Sequence, residues 1–448
     1  LTIRNANATV LGAISSTSLN VNSTGGQITQ AGAATVSGNT MLTASGNAIT
    51  VDNAGNNFNT GNISASGTAV TIRNANATTL GTISATSLNV NSTGGQITQV
   101  GAATVTGNTS LSASGNAITV DNAGNNFNTG NISASGTSVT IRNANATVLG
   151  TISSTSLNVN STGGNISQVM PLQNPGPVTL ASNGNSILLT QSTNNLTALT
   201  ATGSNLTIAE SNNITLNNTS ITNTVNITAA NQITISGSYS AADTIINNGS
   251  FAYSSQLQTN LTINGGTANI QTGGNVTGAA IVNSGSLTSN GAFGSLAINN
   301  GGTLYTTSTG TRVYGNLSFN NGSIWNASGA SLTDFSKITS TGLVTIASNA
   351  SLTLLTPANV VYPNGITLID QTGSTPISQT TGFANYAQGT FFRNNNNTLF
   401  LNYNGSAGNY TFGSTGVDLN IQSLAGKIKV LNPNLTGTAS QHFFTTDS

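Results

Sequence analysis

Eight acidic and eight basic side chains carry all the charge of this 448-residue chain, so any chemistry has to be built from very few groups. Glycoside hydrolysis needs two carboxylates about 5–9.5 Å apart. Asp52 and Asp121 are copies of one another in a repeat, which places them three turns apart, roughly 14 Å along a stack of strands. The other acids, Glu210, Asp243, Asp334, Asp370, Asp418 and Asp447, are single and scattered. His442 is the one histidine and there is no cysteine. A nucleophile–base pair or a transition-metal site therefore has nothing to be made from. The expectation is a chain with no catalytic residue, no metal site and no cofactor.

Two further patterns resemble sites only at first sight. The pairs Gly25-Gly26 and Gly94-Gly95 lack the aspartate of calcium-binding roll repeats. STGGQIT lacks the lysine and the helix of a phosphate loop. Aligning Ile49–Ala54 (ITVDNA) with Val70–Ala75 (VTIRNA) sets Asp52 beside Arg73, and Asp121 beside Arg142 in the next copy. These four are read as structural ion pairs on neighbouring turns, each worth roughly 0–1 kcal/mol.

The elements that position these groups come from repetition. Residues 1–69 recur as 70–138 with 60 of 69 positions identical, and a third copy starts at 139 and dissolves near Gln168. A faithful period of this length marks a stacked array. The phrases beginning at Leu19, Leu42, Ile63 and, in the next copy, Leu88 suggest three coils of about 23 residues per copy, each one unit of such a stack. Apolar residues alternate with Thr, Ser or Asn, as in Leu19-Asn20-Val21 and Ile49-Thr50-Val51, which is the pattern of a strand with one buried face. Gly and Asn pairs supply the turns between strands. β-Branched residues dominate the apolar positions and helix-forming runs are missing. The expected fold is all-β: a right-handed parallel β-helix, an elongated β-solenoid in which closed coils pair with the coils above and below.

Five segments follow. Residues 1–168 are a shaft of near-identical repeats. Residues 169–177, with Pro171, Pro175 and Pro177, form a kink or linker. Residues 178–244 are irregular coils, 245–412 are coils with an aromatic-rich core, and 413–448 are a tail. The aromatics concentrate beyond residue 300 (Tyr305, Phe319, Trp325, Phe335, Phe383, Tyr386, Phe391, Phe392, Phe400, Tyr403, Phe412), mostly in strand phase. They are read as core, with a carbohydrate-stacking surface as the alternative.

Only 4% of the residues are charged and the net charge is zero. A basic footprint for nucleic acid is absent, and no apolar run approaches the roughly 20 residues of a membrane helix. Absence of cysteine fits a protein that crosses a membrane before folding. Leu1 occupies the mid-strand position of Val70 and Val139, so the chain is expected to be part of a longer one.

The shaft phrases ATVLGTISSTSLNVNSTGG, GGQITQ and NAITVDNAGNNF resemble the strand repeats of filamentous-haemagglutinin-type exoproteins. Residues 297–355, and then 358–373 and 389–412, resemble the closing coils and cap of autotransporter passenger domains. The resemblance implies a β-helix exported by type V secretion and displayed on the outer surface of a Gram-negative bacterium, most often for adhesion. Its implied partners are an outer-membrane transporter during export and a receptor or glycan on a host or neighbouring cell. The family's membrane β-barrel and a secretion-signal domain are not recognisable here. Near-absence of charge also favours a self-assembling fibre or sheath subunit, whose partners are copies of itself. A β-helical polysaccharide-active enzyme is the third function class.

Overall fold

The computed structural model describes residues 1–448 except 60, 129, 308–309, 330–335, 356–365, 373–376, 378–381, 387–390, 395–396, 406–417 and 424–448, with backbone alone for 175, 366, 391–394, 397–405 and 418–423. The described elements are all strands, stacked in parallel as a β-solenoid, and they fall into two units, Leu1–Ala241 and Ala242–Ser448. The all-β solenoid expected from the period-2 pattern is what forms.

In the first unit successive strands alternate between two ladders. Ladder one begins with Thr2–Asn5, Leu19–Ser23, Thr40–Ala44 and Asn62–Ser66. Ladder two begins with Thr9–Leu11, Ile28–Gln30, Ile49–Val51 and Ala69–Asn74. Each strand buries every second side chain: Val21, Leu42, Ile63, Ile49, Val51, Val70 and Ile72 are all essentially inaccessible. Burial of each such side chain stabilises by about 1.5–3 kcal/mol. Ile14–Ser16 and Ala34–Val36 form a small sheet of their own beside these ladders.

Turn length is close to the expected one but varies, and it is shorter on average. Val70 pairs with Leu88, Leu88 with Thr109, Thr109 with Ile132, and Ile132 with Leu149. Of these steps only Thr109 to Ile132 reaches the expected length, and Ile132 to Leu149 is the shortest. One copy of the long repeat contributes seven ladder strands, so it spans three and a half turns rather than three. An odd number of half-turns makes the copies change sides. Thr2–Asn5 lies in ladder one, its copy Ala69–Asn74 in ladder two, and the third copy, Ser138–Asn143, back in ladder one. The phrases at Leu19, Leu42 and Ile63 are spaced by strand chemistry, and the half-turn between copies leaves no mark on spacing alone.

The proline-rich segment 169–177 runs through a loop into the strand Gln173–Ala181, which pairs with the turns on both sides. A register shift between Asn174 and Pro177 takes up Pro175, so the prolines bend a turn inside the stack.

The second unit uses three ladders. One runs through Asp243–Tyr253, Asn260–Ile263, Asn275–Val282, Ala292–Ile298, Leu317–Phe319 and Val344–Ile346. A second joins the end of Asp243–Tyr253 to Thr267–Ile270, Gly285–Ser289, Gly302–Thr306, Ile324–Ser328 and Ser351–Leu355. The third joins Gln256–Leu257, the start of Asn275–Val282, the start of Ala292–Ile298, Thr311–Val313, Ile338–Ser340 and Ile366–Gln371. Pairing turns antiparallel at the far end, where Asp418–Ser423 joins Ile366–Gln371 and Asn397–Gly405.

Turn length can be checked in solution because the chain has no cysteine. A Thr71→Cys/Asn89→Cys pair, which the register places side by side, is expected to close a disulfide on mild oxidation. A Thr71→Cys/Asn91→Cys pair, out of register, is expected to stay reduced, as read by thiol titration.

Candidate functional site

The four charged residues singled out from sequence occupy the phase expected of them but do not pair. Ile49–Val51 lies beside Val70–Ile72, so Asp52 and Arg73 leave adjacent turns. Among the described residues the one ion pair is Lys337 with Asp370, at 2.6 Å. Asp52 and Asp121 are exposed, while the Nε atoms of Arg73 and Arg142 are buried without a partner. The reason is the strand end. Ile49–Val51 stops before Asp52, whereas Ala69–Asn74 continues through Arg73, so the two side chains leave different backbone. Asp52 and Asp121 also follow strands of different ladders, half a turn out of phase, and are not a stacked column.

What the repeat does build is a buried amide network. Asn56 Oδ1 accepts from Gln30 Nε2 (2.5 Å) and from the Ala34 N–H (2.9 Å). Its Nδ2 faces Gln30 Oε1 (2.9 Å) and the carbonyls of Val51 (3.1 Å) and Arg73 (3.2 Å). The side chain is fully buried and ties three turns together. Gln99 and Asn125 repeat the arrangement, and so do Gln168 and Asn194. The third instance lies beyond the point where sequence identity fades. Its trace was legible as the Asn-Asn-Leu of 194–196 standing where Asn-Asn-Phe stands at 56–58 and 125–127.

A second asparagine position carries one exception. Asn74 accepts from the Phe58 N–H (3.1 Å) and donates to the Ala77 carbonyl (2.7 Å). Asn143 does the same with Phe127 (3.0 Å) and Ala146 (2.7 Å). In the next copy the position belongs to Glu210, whose Oε2 accepts from the Leu196 N–H at 3.0 Å. Glu210 is 4% exposed and its Oε1 has no partner. A carboxylate cannot donate as the asparagine amide does. Burial pushes its pKa from 4.5 up to about 7, against a smaller lowering by the Leu196 N–H. Near neutrality the carboxyl therefore takes up a proton and regains a donor.

In the second unit the aromatic core is confirmed where side chains are described. Phe319, Trp325 and Phe383 are buried and in mutual ring contact at 5.3, 5.4 and 6.0 Å between centroids. Trp325 Nε1 donates to Thr306 Oγ1 at 2.9 Å. Tyr305 and Tyr314 are instead exposed. Phe335, Phe412, Asp334, His442 and Asp447 lie outside the described residues, as do the side chains of Phe391, Phe392, Phe400, Tyr403 and Asp418. An asparagine ladder crosses five turns: each amide of Asn264, Asn283, Asn299 and Asn320 donates to the side-chain carbonyl below, at 3.0, 2.9, 2.6 and 2.6 Å, down to Asn247. Thr272, Asn275, Asn290, Ala292, Arg312 and Tyr314, with four glycines between them, line an open cleft of about 360 Å³. No group of three or more potential metal ligands occurs among the described residues.

Two measurements test these assignments. Asn125→Ala strips partners from Gln99, the Ala103 N–H and two carbonyls, and is expected to cost about 3 kcal/mol or more in thermal or denaturant unfolding. For Glu210, the folded state binds the proton more tightly than the unfolded chain. Its contribution is thus greatest below about pH 4.5 and declines as the pH rises to about 7. Glu210→Gln is expected to flatten that slope and to stabilise the protein at pH 8 by about 1–3 kcal/mol.

A family described as repeats of unknown function (DUF5649) has a model that matches residues 1–65, 67–134, 136–202 and 203–252, more than half of the chain. The last two matches cover the segment where identity between copies fades. No curated protein and no solved structure matches the chain.

Proposed function

Since the chain belongs to the family of repeats of unknown function, we propose that it acts as a non-catalytic, extracellular β-solenoid rod, adhesin-like, on the surface of a Gram-negative bacterium. In this role it holds its cell to a host cell, a neighbouring cell or a matrix. The carrying observation is how the first unit grows. Each copy adds turns with the same buried apolar columns and the same Gln–Asn network, so added length brings no new chemistry. Reach is what such an array can vary. Resemblance of the repeats to filamentous-haemagglutinin-type and autotransporter passenger proteins supports export by type V secretion through an outer-membrane transporter. The partner is then a receptor or a glycan.

The near-absence of charge, with eight groups of each sign and no excess, favours a second reading as a fibre or sheath subunit, because little repulsion opposes contact between copies. Beads coated with the purified chain are expected to be retained on epithelial or bacterial cell layers several-fold over beads coated with an unrelated β-rich protein. Equal retention overturns adhesion. Growth of particle size with concentration in light scattering is the result that moves the assignment to a fibre.

A further inference from the structure

We infer that the cleft around Arg312 and Tyr314 is a binding site for a carboxylated sugar residue, of the hexuronate or sialic type. The inference rests on the adhesive reading above and gives it a ligand class.

Three successive turns build the cleft. Register aligns Asn275 with Ala292 and Ala292 with Arg312, so these residues stand in one column of the third ladder. Tyr314 follows shortly after Arg312, and both are exposed. The small side chain of Ala292 and the backbone of Gly274 and Gly291 leave the floor bare. That floor is fixed by packing: a Cβ on Gly291 would lie 2.5 Å from the Gly274 carbonyl oxygen and 2.5 Å from Ile270 Cγ2. At about 360 Å³ the space suits one or two sugar rings and lies at the small end of ligand pockets.

The chemistry of the lining is selective. Arg312 has neither an ion pair nor a side-chain hydrogen bond among the described residues, in a protein where charge is scarce. A guanidinium recognises a carboxylate through two parallel N–H donors. The ring of Tyr314, 57% exposed, offers an apolar face beside it with a polar tip. Asn290 Oδ1 already accepts from the Thr307 hydroxyl. Its amide N–H groups have no partner among the described residues and are available to ring hydroxyls. A cation, an aromatic face and an amide around a rigid glycine floor match a ring that carries both hydroxyls and a carboxylate. A neutral sugar offers Arg312 only hydroxyl oxygens and no charged acceptor for both of its parallel donors.

Isothermal titration of the full chain with sialyllactose, with an oligogalacturonate and with lactose tests this. One or both acidic probes are expected to bind, lactose to bind at least about tenfold more weakly, and Arg312→Ala to weaken the acidic probe by at least about tenfold. Tyr314→Ala is expected to weaken it too, while Arg312→Lys retains part of the affinity. Both positions are exposed, so an unchanged melting temperature certifies the fold of each variant. Which acidic probe binds separates a sialylated glycoprotein from an acidic polysaccharide as the source. Equal affinity for lactose, indifference to Arg312→Ala, or no binding of either acidic probe overturns the assignment. If the acidic probes fail while coated beads are still retained on cells, the cleft is wrong and adhesion stands; loss of both removes the adhesive role itself.

Discussion

Register between successive turns is the constraint on which everything else here depends. A strand in a solenoid has to meet its hydrogen-bonding partner a full turn earlier while keeping every second side chain inside. A slip of one residue would turn the whole apolar set outward. Turns as short as Ile132 to Leu149 and as long as Thr109 to Ile132 satisfy this only because the corners absorb the difference. Glycine lets backbones approach at the corners: a Cβ at Gly61 or Gly130 would overlap the carbonyl of Gly38 or Gly107 on the turn before it. Where the corner is long, buried amides fill it. Asn56 reaches backbone of three turns at once, which no apolar side chain can do without leaving those groups unpaired.

The two units meet that demand with different chemistry. In the first, polar groups go inward, and a Gln–Asn pair recurs with the period of the long repeat inside a core of Val, Ile and Leu. In the second, the core is filled by rings, with Phe319, Trp325 and Phe383 in contact, and asparagines form their ladder on the exposed side. Exposed amide ladders continue hydrogen bonding between turns beyond the strands. Buried ones fix which turns can be neighbours, since a misplaced amide loses several partners together.

Much of this was legible in the sequence. Alternation in LNVNS and ITV named the buried faces, β-branched residues excluded helix, and the clustering of Phe and Trp pointed to the buried ring cluster of the second unit. The phase relation of Asp52 to Arg73 was also readable, because ITVDNA and VTIRNA do lie side by side. Their pairing was not, since it depends on where a strand ends, and one residue decides whether a side chain lies along the sheet or in the corner. Turn length was read close to the observed one but a little long, for a related reason. Similar phrases recur at nearly even intervals, yet equal phrases sit on alternate ladders, and composition is blind to which side a strand lies on. Glu210 was noticed only as a lone acid. Its meaning came from standing where Asn74 and Asn143 stand, a correspondence that fading identity conceals. The Arg312 column was hidden altogether, because its residues are a full turn apart in the chain and meet only through the third ladder.

The half-turn left over in each copy has a consequence for anything that touches the repeats from outside. Neighbouring copies present the same outer residues to opposite flanks, so a partner lying along one flank meets an identical patch only at every second copy. Seven turns separate such patches, roughly 33 Å at the spacing of paired strands. A repeat array of this kind therefore has a parity. Gaining or losing a single copy exchanges the flanks of every later strand in the array, whereas gaining or losing two restores them. Copy number in such a family then encodes orientation as well as length, and an even step is the one that leaves the pattern facing the same way.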